Sequence, residues 1–275
     1  MVVQVALVSQ SDSIPSSDVS LVSAAVQKQV TRDFGPIWSV DATVDSFDTL
    51  EDVPLGYWPM VVRDDVRETQ QAEGVHLDKD GQPFALIQAT DSWAMTASHE
   101  CLEMLADPFG ERLVAGQAPK EARGQKRVEF LVEVCDPPEA ADFGYTVNDI
   151  TVSDFLTPNF YDPVAAPGVR YSFTGAITKP RSILRGGYLS WHNPTNDHWY
   201  QITWFSGSRP ALRDLGVLSA SSKSTREMID SMTKPPRMKK AVRKPRPSLP
   251  SSCGTAKSAP ARAATLMQQI KKLVR

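Results

Sequence analysis

The sequence predicts an α/β domain with a mixed sheet over residues 1–218, followed by a basic tail over residues 219–275. Three observations predict it. Short apolar or alternating segments typical of strands lie on both sides of segments with helical periodicity. The chain of 275 residues is 41% hydrophobic and 23% charged, which suffices for a large core. After Leu218 the composition changes to Ser, Pro, Lys and Arg, which is typical of disorder.

In the first half of the domain, the spacing of apolar residues predicts the strands and helices. We expect strands at residues 3–9, 40–47, 58–62, 74–77 and 84–89. The last two form a hairpin, because the turn sequence Lys79-Asp80-Gly81-Gln82 joins them. We expect a first helix that begins at Ser17 or Asp18 and runs up to Phe34-Gly35-Pro36, and a second helix over residues 96–108, which Asp107-Pro108 stops. The order of strand, helix, strands and helix is that of a layered α/β fold.

The second half continues with strands and ends in the tail. Strands are expected at residues 128–134 and 169–177, and residues 188–205 predict a C-terminal hairpin that turns at residues 193–197. Residues 219 to about 260 hold few large apolar groups and many like charges. We therefore expect them to be disordered and dispensable for stability. A short basic helix is predicted over residues 261–274.

Charge divides the chain at the same place. Residues 219–275 contain 14 Lys and Arg but only Glu227 and Asp230 as acids, a net charge of +12. Because the whole chain has a formal net charge of −2, residues 1–218 carry −14. The run from Arg237 to Arg246 can neutralise phosphates but has no interleaved aromatic residues. We expect a polyanion or a protein as the partner of the tail, with a merely solubilising tail as the alternative.

The chain carries no sign of secretion or membrane insertion. Its apolar N-terminal run is short and is not preceded by a basic residue, so it indicates a strand rather than a signal peptide. No segment approaches the roughly 20 apolar residues that span a bilayer. Three cysteines, an odd number and far apart, do not indicate a disulfide framework. These features predict a cytoplasmic protein without a membrane partner.

The helix over residues 96–108 is the segment most informative about function. His99 and Glu103 are four residues apart, so on a helix both lie on one face and can reach a single cation. Glu100 is adjacent to His99 and can approach a water molecule at the metal without being a ligand itself. This division follows the logic of the His-Glu-x-x-His metalloproteases, with Glu103 in place of the second histidine. The alternative is a solvated helix face whose charges have no role.

The wider segment resembles a zincin-like group of proteins. The group shares a Ser-His-Glu-x-x-Glu motif, an Asp-Pro stop and a later Glu-hydrophobic-x-Asp segment. The matching residues here are Ser98-His99-Glu100, Glu103, Asp107-Pro108 and Glu133-Val134-Cys135-Asp136. The group includes plant-type extracellular phosphate-induced proteins and uncharacterised bacterial and phage proteins, and the resemblance covers about residues 90–162. Because we expect no signal peptide, the extracellular roles of the secreted members do not carry over.

The resemblance implies a zincin-like fold and completes a ligand set. The expected metal ligands are His99 and Glu103, with Glu133 as first choice and Asp136 as second choice for the third. One histidine with two carboxylates neutralises a divalent ion, which makes the ion a weaker Lewis acid than two histidines with one carboxylate would. Zinc is the expected metal because a histidine on such a helix favours it, and manganese and calcium are the alternatives.

Two classes of function follow from these residues. The first is a metal-dependent hydrolase, a zinc peptidase-like protein acting on a peptide or protein substrate, with Glu100 as general base and Tyr145 as a candidate oxyanion donor. The alternative is a non-catalytic structural or assembly protein on a zincin-like scaffold, for example a phage virion component. In that case the basic tail and the hairpin over residues 188–205, which contains Trp191, Trp199, Tyr200 and Trp204, are assembly contacts, and such a component is located in a virion.

Overall fold

The architecture is known from a computed structural model that describes residues 2–66, 73–219, 221, 223–233, 235, 246–247 and 258–273. Over these residues the chain is a mixed α/β structure, which confirms the predicted class. No helix within these ranges is long and apolar enough to cross a membrane.

The elements alternate between strands and helices in the first half, and strands dominate the second. The strands are β1 (Val3–Ser9), β2 (Ala42–Phe47), β3 (Trp58–Arg63), β4 (Gly74–Lys79), β5 (Gln82–Gln88), β6 (Leu113–Gln117), β7 (Arg127–Leu131), β8 (Tyr145–Val147), β9 (Ile150–Val152), β10 (Tyr188–Asn193), β11 (His198–Thr203), β12 (Ala211–Gly216) and β13 (Arg246–Pro247). The helices are α1 (Ser16–Lys28), α2 (Gly35–Trp38), α3 (Trp93–Ala106), α4 (Thr225–Met232) and α5 (Ser258–Leu273), and a π-helical turn, Gln29–Phe34, joins α1 to α2.

The first sheet has the order β2-β1-β3-β5-β4. Strands β2, β1, β3 and β5 are parallel, and β4 is the antiparallel edge strand. The hairpin of β4 and β5 turns at Asp80 and Gly81, whose φ angles of 55° and 80° are the positive values that such a turn requires. Helices α1 and α3 pack against this sheet and against each other. The predicted hairpin and the helix that follows it are therefore confirmed.

The second sheet is antiparallel, with the order β12-β11-β10-β7-β6. Its central hairpin, β10 and β11, turns over residues 194–197 as predicted. A small third sheet has the order β13-β8-β9, and β9 packs against α3. The main hydrophobic core joins these parts; it includes Val5 of β1, Leu102 of α3, and Phe130 and Trp191 of the second sheet.

Residues 169–177 do not form the predicted strand. They contain an isolated bridge between Leu156 and Ser172 instead of a ladder. Side chains bind the backbone here: the Asp154 carboxylate accepts hydrogen bonds from the Thr174 backbone N–H and from its hydroxyl, and the Thr157 hydroxyl donates to the Arg170 carbonyl. Because these bonds hold the segment in irregular form, the alternation of its apolar residues was a misleading signal.

Part of the segment after Leu218 that we expected to be disordered is helical. Helix α4 forms within the segment that we expected to be disordered, and it packs on the second sheet. Ile229 is buried against Leu131 and Trp199, and the Gln201 side chain donates to the Thr233 hydroxyl. The short helix thus gains its stability from an apolar contact and from hydrogen bonds to the body of the protein.

The rest of the tail is described only in part. A helix does lie close to the predicted 261–274, as α5, and Arg262 donates to both carboxylate oxygens of Asp162 on the body. Most of the expected disordered segment beyond Thr233, including Arg237 and nearly all of the basic run that it begins, lies outside the described residues.

Candidate metal centre

Helix α3 is buried along nearly its whole length, from Met95 to Ala106. Only four residues separate the end of β5 from the start of α3, so the sheet fixes the position of the helix. The side chains that the sequence places on one face, His99, Glu100 and Glu103, are 6%, 3% and 0% exposed. The alternative of a solvated helix face is therefore wrong, and these polar groups need buried partners.

A close approach between β4 and α3 brings a further strand to this face. At Gly74 an added Cβ would lie 2.5 Å from the Thr96 methyl group and 2.7 Å from Glu100 Oε1. Only glycine leaves room for the helix at this distance. Two residues later, His76 on the same strand is buried and faces the helix.

The first group of potential ligands joins α3 to the segment after β7. His99 Nε2 lies 3.4 Å from Glu103 Oε2 and 3.2 Å from Asp136 Oδ1. Their ligand atoms all lie within 4.8 Å of one another. The Cys135 backbone N–H donates to Glu103 Oε1 at 3.0 Å, which leaves Oε2 directed towards His99. His99, Glu103 and Asp136 can therefore hold a metal ion together.

The second group shares Glu103 with the first. His76, Glu100 and Glu103 also have ligand atoms within 4.8 Å of one another. His76 Nδ1 lies 3.6 Å from Glu100 Oε2 and 4.0 Å from Glu103 Oε2. On the other side of the ring, His76 Nε2 lies 2.9 Å from the carbonyl oxygen of Asp107. A carbonyl only accepts hydrogen bonds, so it places the ring proton on Nε2 and leaves the Nδ1 lone pair facing the carboxylates.

The guanidinium of Arg226, on α4, lies in the middle of these carboxylates. Its Nη1 is 2.7 Å from Glu103 Oε2 and 2.9 Å from Glu133 Oε2, and its Nη2 is 3.6 Å from Glu100 Oε2. Nη1 also donates to His76 Nδ1. Within α4 itself, Nε donates to Asp230 Oδ2 at 3.1 Å. Arg226 is only 3% exposed, so a positive charge is buried at the point where the four side chains converge.

His99 and Glu103 each stabilise the charged form of the other. Burial alone would lower the pKa of His99, but Glu103 and Asp136 outweigh it and hold the pKa well above its usual value. Burial alone would raise the pKa of Glu103, but Arg226 and His99 hold it well below its usual range. Glu103 therefore ionises more readily than Asp136 or Glu133.

The pKa values of Asp136 and Glu133 are shifted in the other direction. Burial, with the nearby charge of Glu103, raises the pKa of Asp136 to about 7. Burial raises the pKa of Glu133 well above its usual value as well, and Glu103 and Asp136 add to the shift although Arg226 opposes it. So many acids in one buried place cannot all be charged unless cations join them.

Several buried atoms of the cluster have no hydrogen-bond partner within the described ranges. They are His99 Nδ1, Glu100 Oε2, Glu103 Oε2, Asp136 Oδ2 and both carboxylate oxygens of Glu133. Glu103 Oε2 and Glu133 Oε2 are close to Arg226, but as ion pairs without hydrogen-bond geometry. An unsatisfied buried polar atom costs about 1–3 kcal/mol, so such a concentration needs an explanation. Imidazole nitrogen and carboxylate oxygen are ligand atoms for zinc and for manganese. These residues fit a divalent cation.

Ser98, the first residue of the motif, has a structural role. Its hydroxyl donates to Gln29 Oε1 at 2.8 Å and accepts from the Ser153 backbone N–H at 2.9 Å. The Gln29 amide in turn donates to the Ser153 carbonyl at 2.9 Å. This closed network ties α3 to the π-helical turn and to the segment after β9, and so fixes the rotation of α3 about its axis.

The structure brings together five of the six residues proposed from sequence and directs Tyr145 elsewhere. The Tyr145 hydroxyl donates to Asp33 Oδ2 at 3.0 Å, and burial with the charge of Asp33 raises its pKa well above the usual value. Its proton is thereby committed to Asp33. Glu133 reaches the cluster on the side of Arg226, whereas Asp136 pairs with His99.

Sequence reasoning missed His76 and Arg226. His76 is an isolated histidine on a strand, and nothing in its neighbourhood indicates that the strand lies against α3. Arg226 follows Ser224, and the spacing of Ser224 and Glu227 is that of a capping box, which could have indicated a helix there. That its guanidinium enters the cluster has no signal in the local sequence.

Comparison of the chain with protein-family models, with curated proteins and with solved structures gives no match.

Proposed function

We propose that this protein is a metal-dependent hydrolase with a zincin-like centre, in which His99, Glu103 and Asp136 hold a divalent ion, zinc in the first place. The single observation that carries the proposal is the convergence of these three buried ligand atoms within 4.8 Å, with Asp136 Oδ2 left without a hydrogen bond and Glu103 Oε2 held only by ion pairs, of which those with Arg226 and His99 are the shortest. Asp136, the second choice from sequence, is preferred to Glu133 because it is Asp136 that lies beside His99.

The ion and Glu100 would have different roles in hydrolysis. A divalent ion at this position would polarise a substrate carbonyl group and make a water molecule more acidic. Glu100 follows His99 on the helix and does not belong to the first ligand group, so its carboxylate is free of that task. Its Oε2 is buried and has no hydrogen bond, and it can therefore accept a proton from water and pass it to the leaving group.

A peptide is the proposed substrate. The support is the His-Glu-x-x-Glu helix, which has the general-base position of the His-Glu-x-x-His peptidases, and its place directly after a strand of a mixed sheet. Hydrolysis of an amide needs both carbonyl polarisation and a proton acceptor, and the ion and Glu100 would supply one each.

The second candidate is a non-catalytic assembly protein on the same scaffold. A specific observation favours it: the carboxylates of the centre are less than a tenth exposed, and Arg226 lies among them. A centre without access for substrate would act as a structural link between α3, β4 and α4. Under this alternative a metal ion would contribute stability without turnover.

Metal analysis and an assay of paired variants test the proposal. We expect the purified protein to contain one equivalent of zinc, and His99→Ala to lose it together with the thermal stabilisation that zinc provides. Glu100→Gln should keep the zinc, while hydrolysis of an unfolded protein such as casein should fall about 10²- to 10⁴-fold, the usual contribution of a general base.

A matched control is His198→Ala, which removes a half-exposed histidine that pairs with Asp214 on the second sheet. It should change neither zinc content nor hydrolysis. Loss of zinc from Glu100→Gln would make Glu100 a ligand and overturn the division of roles. Zinc-loaded protein without any hydrolysis would favour the assembly function.

A further inference from the structure

We propose that Arg226 occupies a second divalent-cation site, formed by His76, Glu103 and Glu133, so that binding of a second metal ion and docking of α4 exclude each other. The inference rests on the proposed function in one respect, since Glu103 would bridge the two ions.

The position of the guanidinium is that of a cation among ligands. Three ligand atoms surround Nη1: His76 Nδ1, which accepts its hydrogen bond, Glu103 Oε2 at 2.7 Å and Glu133 Oε2 at 2.9 Å. Glu100 Oε2 is farther away, at 3.6 Å from Nη2, and stays outside this set. An imidazole nitrogen with two carboxylate oxygens is a typical ligand set for zinc or manganese.

His76 is prepared for a ligand role. Its Nε2 lies against the Asp107 carbonyl at 2.9 Å, which fixes the tautomer and the orientation of the ring. Metal-binding histidines commonly hold the distal ring N–H on a carbonyl or carboxylate in this manner. The Nδ1 lone pair therefore points into the cluster whether or not Arg226 is present.

The charges favour two ions over one. When α4 leaves, it takes both Arg226 and Asp230 with it, and the carboxyl groups of Glu100, Glu103, Glu133 and Asp136 remain, with that of Glu139 close by. Two divalent ions can compensate up to four negative charges in this group, whereas one ion compensates only two. With α4 docked on the body, neither carboxylate oxygen of Glu133 has a hydrogen bond. Arg226 therefore compensates the charge of these ligands only in part.

Besides the ion pairs of Arg226, helix α4 is attached to the body by a hydrogen bond from the Arg213 guanidinium to the Met232 carbonyl at 2.8 Å and by further contacts. The Arg226 backbone N–H donates to the Gly110 carbonyl at 3.0 Å, Ile229 packs against Leu131 and Trp199, and Gln201 donates to Thr233. Gly110 makes this contact possible, because a Cβ there would lie 2.9 Å from Arg226 Cβ and 2.9 Å from Ser224 Oγ. Its φ of +62° disfavours other residues as well.

Equilibrium dialysis against zinc, with the full chain and its variants, tests the proposal. At a free zinc concentration at which the wild-type protein binds one ion, Arg226→Gln should bind two, and Arg226→Gln combined with His76→Ala should bind one. Gly110→Ala leaves every ligand in place and should show the same gain as Arg226→Gln, which guards against a folding defect of the arginine variant.

Hydrogen exchange of the wild-type protein gives a second readout. As zinc is raised until a second ion binds, the amides of residues 225–232 should exchange at least about tenfold faster, because the helix has left the body. Those of α1 should not change. Full protection of α4 with two ions bound would overturn the mutual exclusion.

The outcomes separate this proposal from the proposed function. If Arg226→Gln and Gly110→Ala bind one ion each, and His99→Ala removes it, the second site does not exist while the first remains. If the combined variant Arg226→Gln and His99→Ala still binds one ion that depends on His76, the second site exists without the first. Variants that bind no zinc at all would overturn both.

Discussion

His99, Glu100 and Glu103 show what residue spacing can and cannot predict. Two side chains four residues apart on a helix must share a face, so the pairing of His99 with Glu103 followed from the sequence. The contribution of His76 did not, because the strand that lies against a helix is determined by sheet order rather than by local spacing. That Asp136 lies beside His99 and Glu133 beside Arg226 also needed the structure, since both residues follow β7 and only their directions differ.

Glu103 should be important for stability even without metal. Its Oε1 accepts from the Cys135 backbone and its Oε2 lies beside Arg226. Glu103→Gln removes the negative charge and leaves the buried guanidinium less compensated, so the free energy of unfolding should fall by about 2–4 kcal/mol. Urea unfolding after treatment with a chelator measures it.

The exposed Glu111 offers a matched control for this change. Glu111→Gln should alter the free energy of unfolding by less than about 0.5 kcal/mol. Equal effects of the two substitutions would mean that the buried ion pairs do not stabilise the fold.

His192 provides a test of electrostatics away from the centre. Partial burial lowers its pKa, but hydrogen bonds with Glu129 at 3.0 Å and Asp197 at 2.9 Å outweigh burial and raise the pKa above its usual value. A group with a raised pKa in the folded state stabilises the fold below its unfolded pKa of about 6.5, and this contribution is lost as pH rises through the folded value.

The difference in melting temperature between the wild type and His192→Gln should therefore be positive at pH 5.5 and close to zero at pH 9. Because these side chains are partly exposed, it should correspond to less than about 1 kcal/mol. A difference that grows with pH would contradict the assignment of the pairs.

At the scale of elements, prediction succeeded where one local signal determined the structure. Strand β1 matches the predicted residues 3–9, and both hairpins turn where Asp80-Gly81 and residues 193–197 indicated. The first helix was expected to end near Gly35-Pro36. Instead the π-helical turn and α2 continue it to Trp38, since a proline in the first turn of a helix needs no hydrogen-bond donor.

Helix α4 was missed because its surroundings are polar and basic and the helix is short. Its signals are present: the Ser224 hydroxyl accepts from the Glu227 backbone N–H, and Ile229 is the apolar anchor. A composition averaged over the whole tail does not reveal a helix of only eight residues. The tail is therefore not uniform, and its first part belongs to the folded body.

Truncation should distinguish the two parts of the tail. A chain that ends after Leu218 loses α4, hence the burial of Ile229 and the counter-charge of Arg226, and its melting temperature should fall by about 5 °C or more. A chain that ends after Pro235 retains α4 and should melt within about 2 °C of the full chain. Differential scanning calorimetry measures both. Equal melting temperatures of the two truncations would mean that α4 adds no stability.

At the scale of the whole molecule, basic residues of the tail form ion pairs with the acidic body. Two basic residues of the tail already pair with acids of the body: Arg226 with the buried cluster and Arg262 with Asp162. Beyond Pro235 there are no acidic residues, while 11 Lys and Arg remain. This part can either be drawn to the body, which carries −14, or bind an external polyanion.

The salt dependence of nucleic-acid binding shows whether the tail binds an external polyanion or the acidic body. If the tail binds polyanions, a fluorescent single-stranded DNA of random sequence should bind at 50 mM salt. If the tail neutralises about six phosphates of the single strand, binding should be about 300-fold weaker at 200 mM. Affinity should not depend on base sequence, because phosphates carry no sequence information. The chain that ends after Pro235 retains α4 and the acidic body, and it should not bind at either salt concentration. Absence of binding by the full chain even at 50 mM would instead mean that the body neutralises its own tail.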